Sequence, residues 1–359
     1  MRVIIAGGGT GGHLFPAVAL GEELVRERPD TEVLYAGTSA GFEAKWLPRS
    51  SYRYELFQVH GIRGHGPVER ARAALEFIRA IGLARALLNR FRPALVVSAG
   101  GYASAPVGVA AILARVPIVL MEQNTRPGLA NKILWRFARR ICVGFEDVAP
   151  YFGRARVEVT GNPVRYRPLP AEPRREGAPF QILVLGGSTG AHRLNLGVVG
   201  AFKIWGKSVI NLHVKHQCGE ADAELLRQEY HQLPFHAEVA PFIDDVPLAL
   251  SRADLVVARG GAMTVTDIAL AGRPAIFVPY PFHRDRQQEH NARVVERVGG
   301  AITVPDDDRL AQNLAQHMKS MLGDPELLVE MGRRARAVMP ADGAARIARI
   351  CFKEARVEN

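Results

Sequence analysis

The sequence predicts an α/β protein built from two Rossmann-like, doubly wound domains, and three observations carry that expectation. A short apolar strand, a glycine loop and an apolar-periodic helix open the chain over residues 3–25. The same series restarts at residues 181–191, about half a chain later. Between them lies a proline-rich stretch with Pro168, Pro170, Pro173 and Pro179, the composition of a linker. At 359 residues the chain is long for one core and suits two domains of ordinary size. The expected boundaries are 1–163 and 164–340, with a basic helix in 341–359.

Composition narrows the class. Hydrophobic residues make up 48%, ample for packed cores and unlike a disordered tail. The net charge of +10 and a pI near 9.8 favour polyanionic partners: phosphates, an anionic membrane face or nucleic acid. Charge alone does not choose among them. Cys142, Cys218 and Cys351 lie far apart with no CxxC pair, which fits a reducing compartment and no metal framework. The first strand is too short an apolar run for a signal peptide. The uncharged stretch 94–114 contains Ser98, Gly100, Gly101, Ser104 and Pro106, so strand–loop–helix is expected there rather than a membrane span. A soluble, cytoplasmic protein is expected.

Residues 7–13 read GGGTGGH, and Leu14, Val18, Leu20, Leu24 and Val25 then repeat at helical spacing. The letters satisfy GxGxxG, but a NAD site wants an acid near the end of the second strand, and residues 35–38 read YAGT. A Walker A loop needs Gly-Lys-Ser/Thr where His13 stands. An imidazole at that place can take a proton from an attacking hydroxyl, or can cap the helix start. After a flexible loop at 61–66, a helix is expected from Pro67, carrying Arg70, Arg72, Arg79, Arg85 and Arg90. A second basic-apolar cluster reads KILWRF at 132–137 and ends in Arg139 and Arg140. Such stretches rest on anionic lipid or form a solvated helix face. Two more glycine-rich turns follow strands, at 98–102 and 122–128; Asn124 and Asn131 there suit turn and cap chemistry.

In the second half, Ser188 in the loop 186–191 can donate to a diphosphate or cap a helix. His213 and His216 on one strand point to opposite faces, which discounts them as a metal pair. The run Asp306-Asp307-Asp308 sits between a strand and a helix, where acidic caps are expected. A strand at 254–258, a helix from Ala262 stopped by Gly272 and a strand at 275–279 then form a crossover. The helix start at Ala262, Met263 and Thr264 offers backbone N–H groups to a phosphate. Asp267, one to two turns in, can bind ribose hydroxyls, and Gln287, Gln288 and Asn291 supply neutral amides suited to a sugar. An ordinary crossover with solvated ends is the alternative.

Taken together, GGGTGGHLFPA, SAGGY, EQN with PG and Asn131-Lys132, GNPVR, PFIDD, the Asp267 helix and DRQQ resemble, in order, the signature segments of the MurG-type glycosyltransferases of peptidoglycan synthesis. Each segment is weak alone; the ordered set spans nearly the whole chain. The resemblance implies the GT-B fold, two Rossmann-like domains facing across a cleft, with the last helix packing back on the first. It implies inverting transfer of N-acetylglucosamine from its UDP ester to the C4 hydroxyl of undecaprenyl-pyrophosphoryl-N-acetylmuramyl-pentapeptide, at the cytoplasmic face of the bacterial inner membrane. No metal, cofactor or nucleic acid is implied; the anionic membrane surface is. It further implies that Thr10, Gly11 and Gly12 approach the donor and that His13 faces the reacting sugars. Asn124 is implied to hold the transferred sugar, Arg165 and Ser188 the diphosphate, and the backbone of Ile243 the uracil. Ala262, Met263, Thr264, Asp267, Gln287 and Gln288 complete the donor site. The chain departs from the family at Met121, Thr189 and Asp267, where histidine, glutamine and glutamate are usual. The rivals are another GT-B transferase, a UDP-sugar epimerase and a non-catalytic nucleotide- or nucleic-acid-binding protein. The basic stretch and Gln287-Gln288 argue against the epimerase, and the missing ribose acid after the first loop against the last.

Overall fold

The computed structural model describes residues 1–59, 66–153, 156–166, 168–169, 171–172, 174, 177–187, 190–206, 211–282 and 285–355. It divides into two compact units, Met1–Arg165 with Asp342–Asn359, and Tyr166–Ala341.

In the first unit, strands β1 (Arg2–Ala6), β2 (Glu32–Thr38), β3 (Arg53–Phe57), β4 (Leu95–Ser98), β5 (Ile118–Glu122), β6 (Arg140–Val143) and β7 (Val157–Val159) pair in the order β3-β2-β1-β4-β5-β6-β7. All neighbours are parallel. The helices are α1 (Gly11–Glu27), α2 (Glu43–Trp46), α3 (Pro67–Phe91), α4 (Ser104–Leu113) and α5 (Leu129–Leu134). The central strands read RVIIA, LVVS and IVLME, near-continuous apolar runs, because helices cover both faces of a parallel sheet. Side chains alternate: Ile4, Val96 and Leu120 pack with Ala84 and Leu88 of α3 and Val107 of α4, while Val3, Val97 and Val119 pack with Leu14 and Val18 of α1. The stretch 94–114 is thus β4, a loop and α4.

The second unit repeats the plan with β8 (Phe180–Leu185), α6 (His192–Trp205), β9 (Leu212–Gln217), α7 (Ala223–His231), β10 (His236–Ala240), α8 (Val246–Arg252), β11 (Leu255–Ala258), α9 (Ala262–Ala271), β12 (Ala275–Phe277), α10 (Gln287–Glu296), β13 (Ala301–Thr303), α11 (Leu310–Leu322) and α12 (Pro325–Arg336). Its sheet is parallel in the order β10-β9-β8-β11-β12-β13. Val198 and Phe202 of α6 and Leu314 and Met318 of α11 cover one face. The last helix, α13 (Gly343–Glu354), belongs to the first unit and lies along α1, burying Ile347, Cys351 and Phe352. It can start there because Gly343 touches the backbone at Asn162, where a Cβ would come within 2.8 Å of the carbonyl oxygen.

Two expectations are corrected. Asp306 is no cap: its side chain is fully buried and bonds Arg259 at 2.8 Å and Arg193 at 2.6 Å, tying the loop after β13 to β11 and α6. Only Asp307 accepts a local backbone N–H, from Arg309 at 2.9 Å. Arg140 is not a free surface charge, since it bridges Glu158 and Glu354 at 3.3 Å each.

Candidate active site

In each sheet the strand order reverses beside the first strand, between β1 and β4 and between β8 and β11. Loops at the carboxyl ends of such neighbours form the ligand crevice of doubly wound folds. In the first unit those loops are 7–10 and 99–103. They touch so closely that a Cβ on Gly101, which has φ +84°, would collide with the Gly8 carbonyl oxygen. A fully buried carboxylate, Glu43, holds the loop from below. It accepts from Gly9 N at 2.7 Å, Thr38 N at 2.8 Å and the Thr38 hydroxyl at 2.7 Å.

Thr10 caps α1 without a side-chain bond to the backbone; its Oγ1 lies 3.2 Å from His13 Nδ1 instead. Gly11 and Gly12 form the first turn, which is free of side-chain bulk. The His13 ring is half-buried beside Gly100, and burial lowers its pKa against the opposing pull of Glu43. The ring is therefore neutral at pH 7. In the tautomer that donates Nδ1–H to the Thr10 hydroxyl, Nε2 carries the lone pair that a proton acceptor needs.

The EQN segment is organised by Glu122 rather than by its asparagines. The Glu122 carboxylate is buried and accepts from Asn124 N, Asn124 Nδ2, Gly128 N and Asn131 Nδ2 at 2.9–3.3 Å. Burial raises its pKa while these bonds pull it down. Asn131 is structural, buried between Ser98, Met121 and Glu122. Asn124 stays half-buried at the loop surface. Arg165 reaches Glu22 at 2.9 Å and lies over the Trp46 ring, 5.6 Å from its centroid.

In the second unit Gly261 is the N-cap of α9; it makes no side-chain cap bond and leaves the N–H groups of the first turn, at Ala262, Met263 and Thr264, facing outward from the helix start. Gly260 allows α10 to approach, since a Cβ there would collide with the Gln288 carbonyl oxygen. Asn291 is buried and donates to Gly260 O at 3.2 Å, so it builds this junction. Gln287 and Gln288 form the first turn of α10, and Gln288 Oε1 accepts from Tyr280 N at 2.9 Å. Gln217 links the loop after β8 to Ile243: its Nε2 donates to Gly187 O at 2.9 Å and its Oε1 lies 3.4 Å from Ile243 N. Ser188 and Thr189 lie outside the described residues.

Asp267 is half-buried on α9, and the Tyr166 hydroxyl donates to its Oδ1 at 2.6 Å. Burial pushes the Asp267 pKa up to about 7, with the tyrosine bond pulling down. His216, by contrast, is internal: it meets Tyr230 and Asn195, and burial lowers its pKa to about 3.

Sequence reasoning missed Glu43, Gln123, Tyr166 and Gln217. Gln123 is the most suggestive. Its Nε2 donates to Ala99 O at 3.1 Å, while its buried Oε1 has no hydrogen-bond partner. That oxygen and His13 Nε2 border the same space beside Gly100. The glycines at 8, 37 and 41 were the available signal for Glu43, since a Cβ at any of them would strike its side chain.

Residues 3–143 match the glycosyltransferase family 28 N-terminal domain, and residues 181–347 match the family 28 C-terminal domain. The UDP-N-acetylglucosamine--N-acetylmuramyl-(pentapeptide) pyrophosphoryl-undecaprenol N-acetylglucosamine transferase of Geotalea uraniireducens (strain Rf4) is 38% identical over 349 residues, 96% of each chain. The crystal structure of Acinetobacter baumannii MurG is similar with a TM-score of 0.80 and 30% identity, covering 98% of this chain and 99% of that one. A UDP-GlcNAc 2-epimerase from Neisseria meningitidis reaches a TM-score of 0.67 at 12% identity over 98% and 100% of the two chains, a likeness of fold alone.

Proposed function

This chain belongs to glycosyltransferase family 28, and from that premise we propose that it transfers N-acetylglucosamine from UDP-N-acetylglucosamine to the C4 hydroxyl of undecaprenyl-pyrophosphoryl-N-acetylmuramyl-pentapeptide, a step of peptidoglycan synthesis. Its two Rossmann-like units are those of the GT-B fold. The observation that carries the reading is the 38% identity to such a transferase over 96% of both chains.

The residues suit the chemistry. His13 Nε2 takes the proton of the acceptor's C4 hydroxyl as its oxygen attacks the anomeric carbon, and the bond from that carbon to the diphosphate oxygen breaks. Inversion follows from a single displacement. Thr10 orients the ring, and Gly11 and Gly12 let a sugar approach the backbone. The departing UDP gathers charge at the start of α9, where the N–H groups of Ala262, Met263 and Thr264 and the helix dipole favour it. Asp267 takes the ribose hydroxyls, the backbone of Ile243 the uracil edge, and Gln287, Gln288 and Asn124 the transferred sugar. Arg165 is assigned to the diphosphate from the sequence, and its guanidinium is held here by Glu22. Ser188 is assigned there from the sequence alone.

The lipid-linked acceptor calls for a protein at a membrane surface. No helix among the described residues is long and apolar enough to cross one. Exposed Leu75, Ile78 and Leu83 on α3 lie among Arg72 and Arg79, and exposed Ile133 and Phe137 lie beside Lys132 and Arg136. Such mixtures favour peripheral, salt-sensitive contact with anionic lipid at about 1 kcal/mol per basic residue. The decisive experiment for the function is mass spectrometry of a reaction with UDP-N-acetylglucosamine and a short-chain lipid acceptor. The acceptor should gain one N-acetylhexosamine as UDP is released; an acceptor that stays unmodified while the donor is retained or turned over would overturn the reading.

A further inference from the structure

The parallel pairing of β9 with β10 sets His236 beside His213 and Glu238 beside Lys215. Residues two apart share a strand face, so these four side chains stand on one face of the sheet, opposite to His216. The ligand atoms of His213, His236 and Glu238 all lie within 4.8 Å of one another. The two imidazole rings are 4.9 Å apart between centroids.

His213 is already oriented. Its Nδ1 donates to Gln181 Oε1 at 2.5 Å, which leaves the lone pair on Nε2. That Nε2 is buried, makes no hydrogen bond, and lies 3.2 Å from Glu238 Oε1. In the neutral ring two lone-pair-bearing atoms thus face each other, an arrangement that either a proton or a metal cation between them reconciles. The other carboxylate oxygen, Oε2, is paired with Lys215 Nζ at 3.0 Å, so Oε1 remains the one turned to the histidines. A groove of about 670 Å³, lined by Gln181, His213, Lys215, Glu238, Phe242 and Arg252 among others, opens beside the cluster.

We infer that His213, His236 and Glu238 form a binding site for a divalent transition-metal cation of the zinc class, with the remaining coordination position open to the groove. Two imidazoles and one carboxylate suit zinc, cobalt, nickel or copper, whereas magnesium and calcium prefer oxygen donors alone. Zinc bonds of about 2.0–2.2 Å require the three atoms to draw inward, which the exposed His236 and Glu238 side chains can do by rotation. The three ligands lie toward the amino ends of β9 and β10, whereas the donor-binding loops follow carboxyl ends; the groove between runs on to Ile243.

The test uses the full-length, tag-free chain stripped with a chelator. Calorimetry with Zn²⁺ and absorption with Co²⁺ should show one equivalent bound, with a visible tetrahedral-type Co²⁺ band that excess Mg²⁺ does not displace. His213→Ala and His236→Ala should each weaken Zn²⁺ binding by more than about 100-fold, and Gln181→Ala by about 10–100-fold through loss of the outer bond to Nδ1–H. Lys215→Ala should tighten binding by removing the competing ammonium, and none of the four changes should alter transfer activity. Absence of saturable binding to the wild type, or binding undiminished in the His213→Ala/His236→Ala double variant, would overturn the inference.

Discussion

The titration of Asp267 gives the sharpest test of the donor site. Burial lifts its pKa from the ordinary 3.8 to about 7, and the Tyr166 hydroxyl draws it down. A ribose diol donates hydrogen bonds, so under the proposed contact the donor selects the ionised carboxylate. Affinity is therefore full above pH 7 and falls about tenfold for each unit below the pKa. Between pH 8 and pH 6 the Kd should rise about tenfold, about 1.4 kcal/mol. UDP-N-acetylglucosamine is the ligand to use, because its esterified diphosphate does not titrate in this window. Asp267→Asn should bind about 1–3 kcal/mol more weakly at pH 8 and lose the pH dependence. Tyr166→Phe should move the midpoint upward, since it removes a bond that favours the charged form. Folding responds in the opposite sense. A raised carboxyl pKa contributes stability that is complete below about pH 4 and lost as the pH rises through 7. Calorimetric titrations at half-unit steps would read the binding effect. A wild-type Kd that is flat from pH 6 to 8 and matched by Asp267→Asn would refute the ribose assignment.

Four further outcomes are expected. Glu43→Gln should destabilise by about 1–3 kcal/mol in urea melts and slow turnover, because Gly9 and Thr38 lose a charged acceptor. Asp306→Ala should cost about 3–5 kcal/mol by leaving Arg259 buried and unpaired, whereas Asp307→Ala should cost about 1 kcal/mol or less; equal losses would restore the cap reading. His13→Ala should lower kcat by about 10²–10⁴-fold with donor Kd unchanged, and normal turnover would remove the proton-acceptor role. Reversing Arg72, Arg79 and Arg136 to glutamate should abolish sedimentation with anionic liposomes while sparing turnover of a water-soluble acceptor; Arg140 is left alone because it is an internal bridge.

The fold was legible because its signals are local. Strands such as RVIIA and FQILVL precede glycine loops, and Gly272 ends α9 in the left-handed conformation, φ 66° and ψ 40°, as its position implied. Helix starts were legible where they depend on their own sequence, as at Gly11 and Gly12 of α1 and Ala262 of α9. What stayed hidden depends on side chains distant in sequence. Glu43 meets Gly9 across 34 residues and Tyr166 meets Asp267 across 101, and nothing in either neighbourhood announces the partner. The acidic run at 306–308 misled for the same reason: Arg259, 47 residues away, decides that Asp306 turns inward. His213 was set aside on the strength of His216, whereas its neighbours across the sheet, His236 and Glu238, become visible only once the register of β9 and β10 is known.

Nuclear magnetic resonance of the purified disaccharide-lipid product tests the central claim most directly. It reports which acceptor hydroxyl was joined and with which anomeric configuration. Transfer by His13-assisted single displacement from the α-linked donor predicts one N-acetylglucosamine on the C4 oxygen of the muramyl residue through a β-linkage. An α-linkage would contradict the single displacement, and attachment at another hydroxyl would contradict the acceptor assignment.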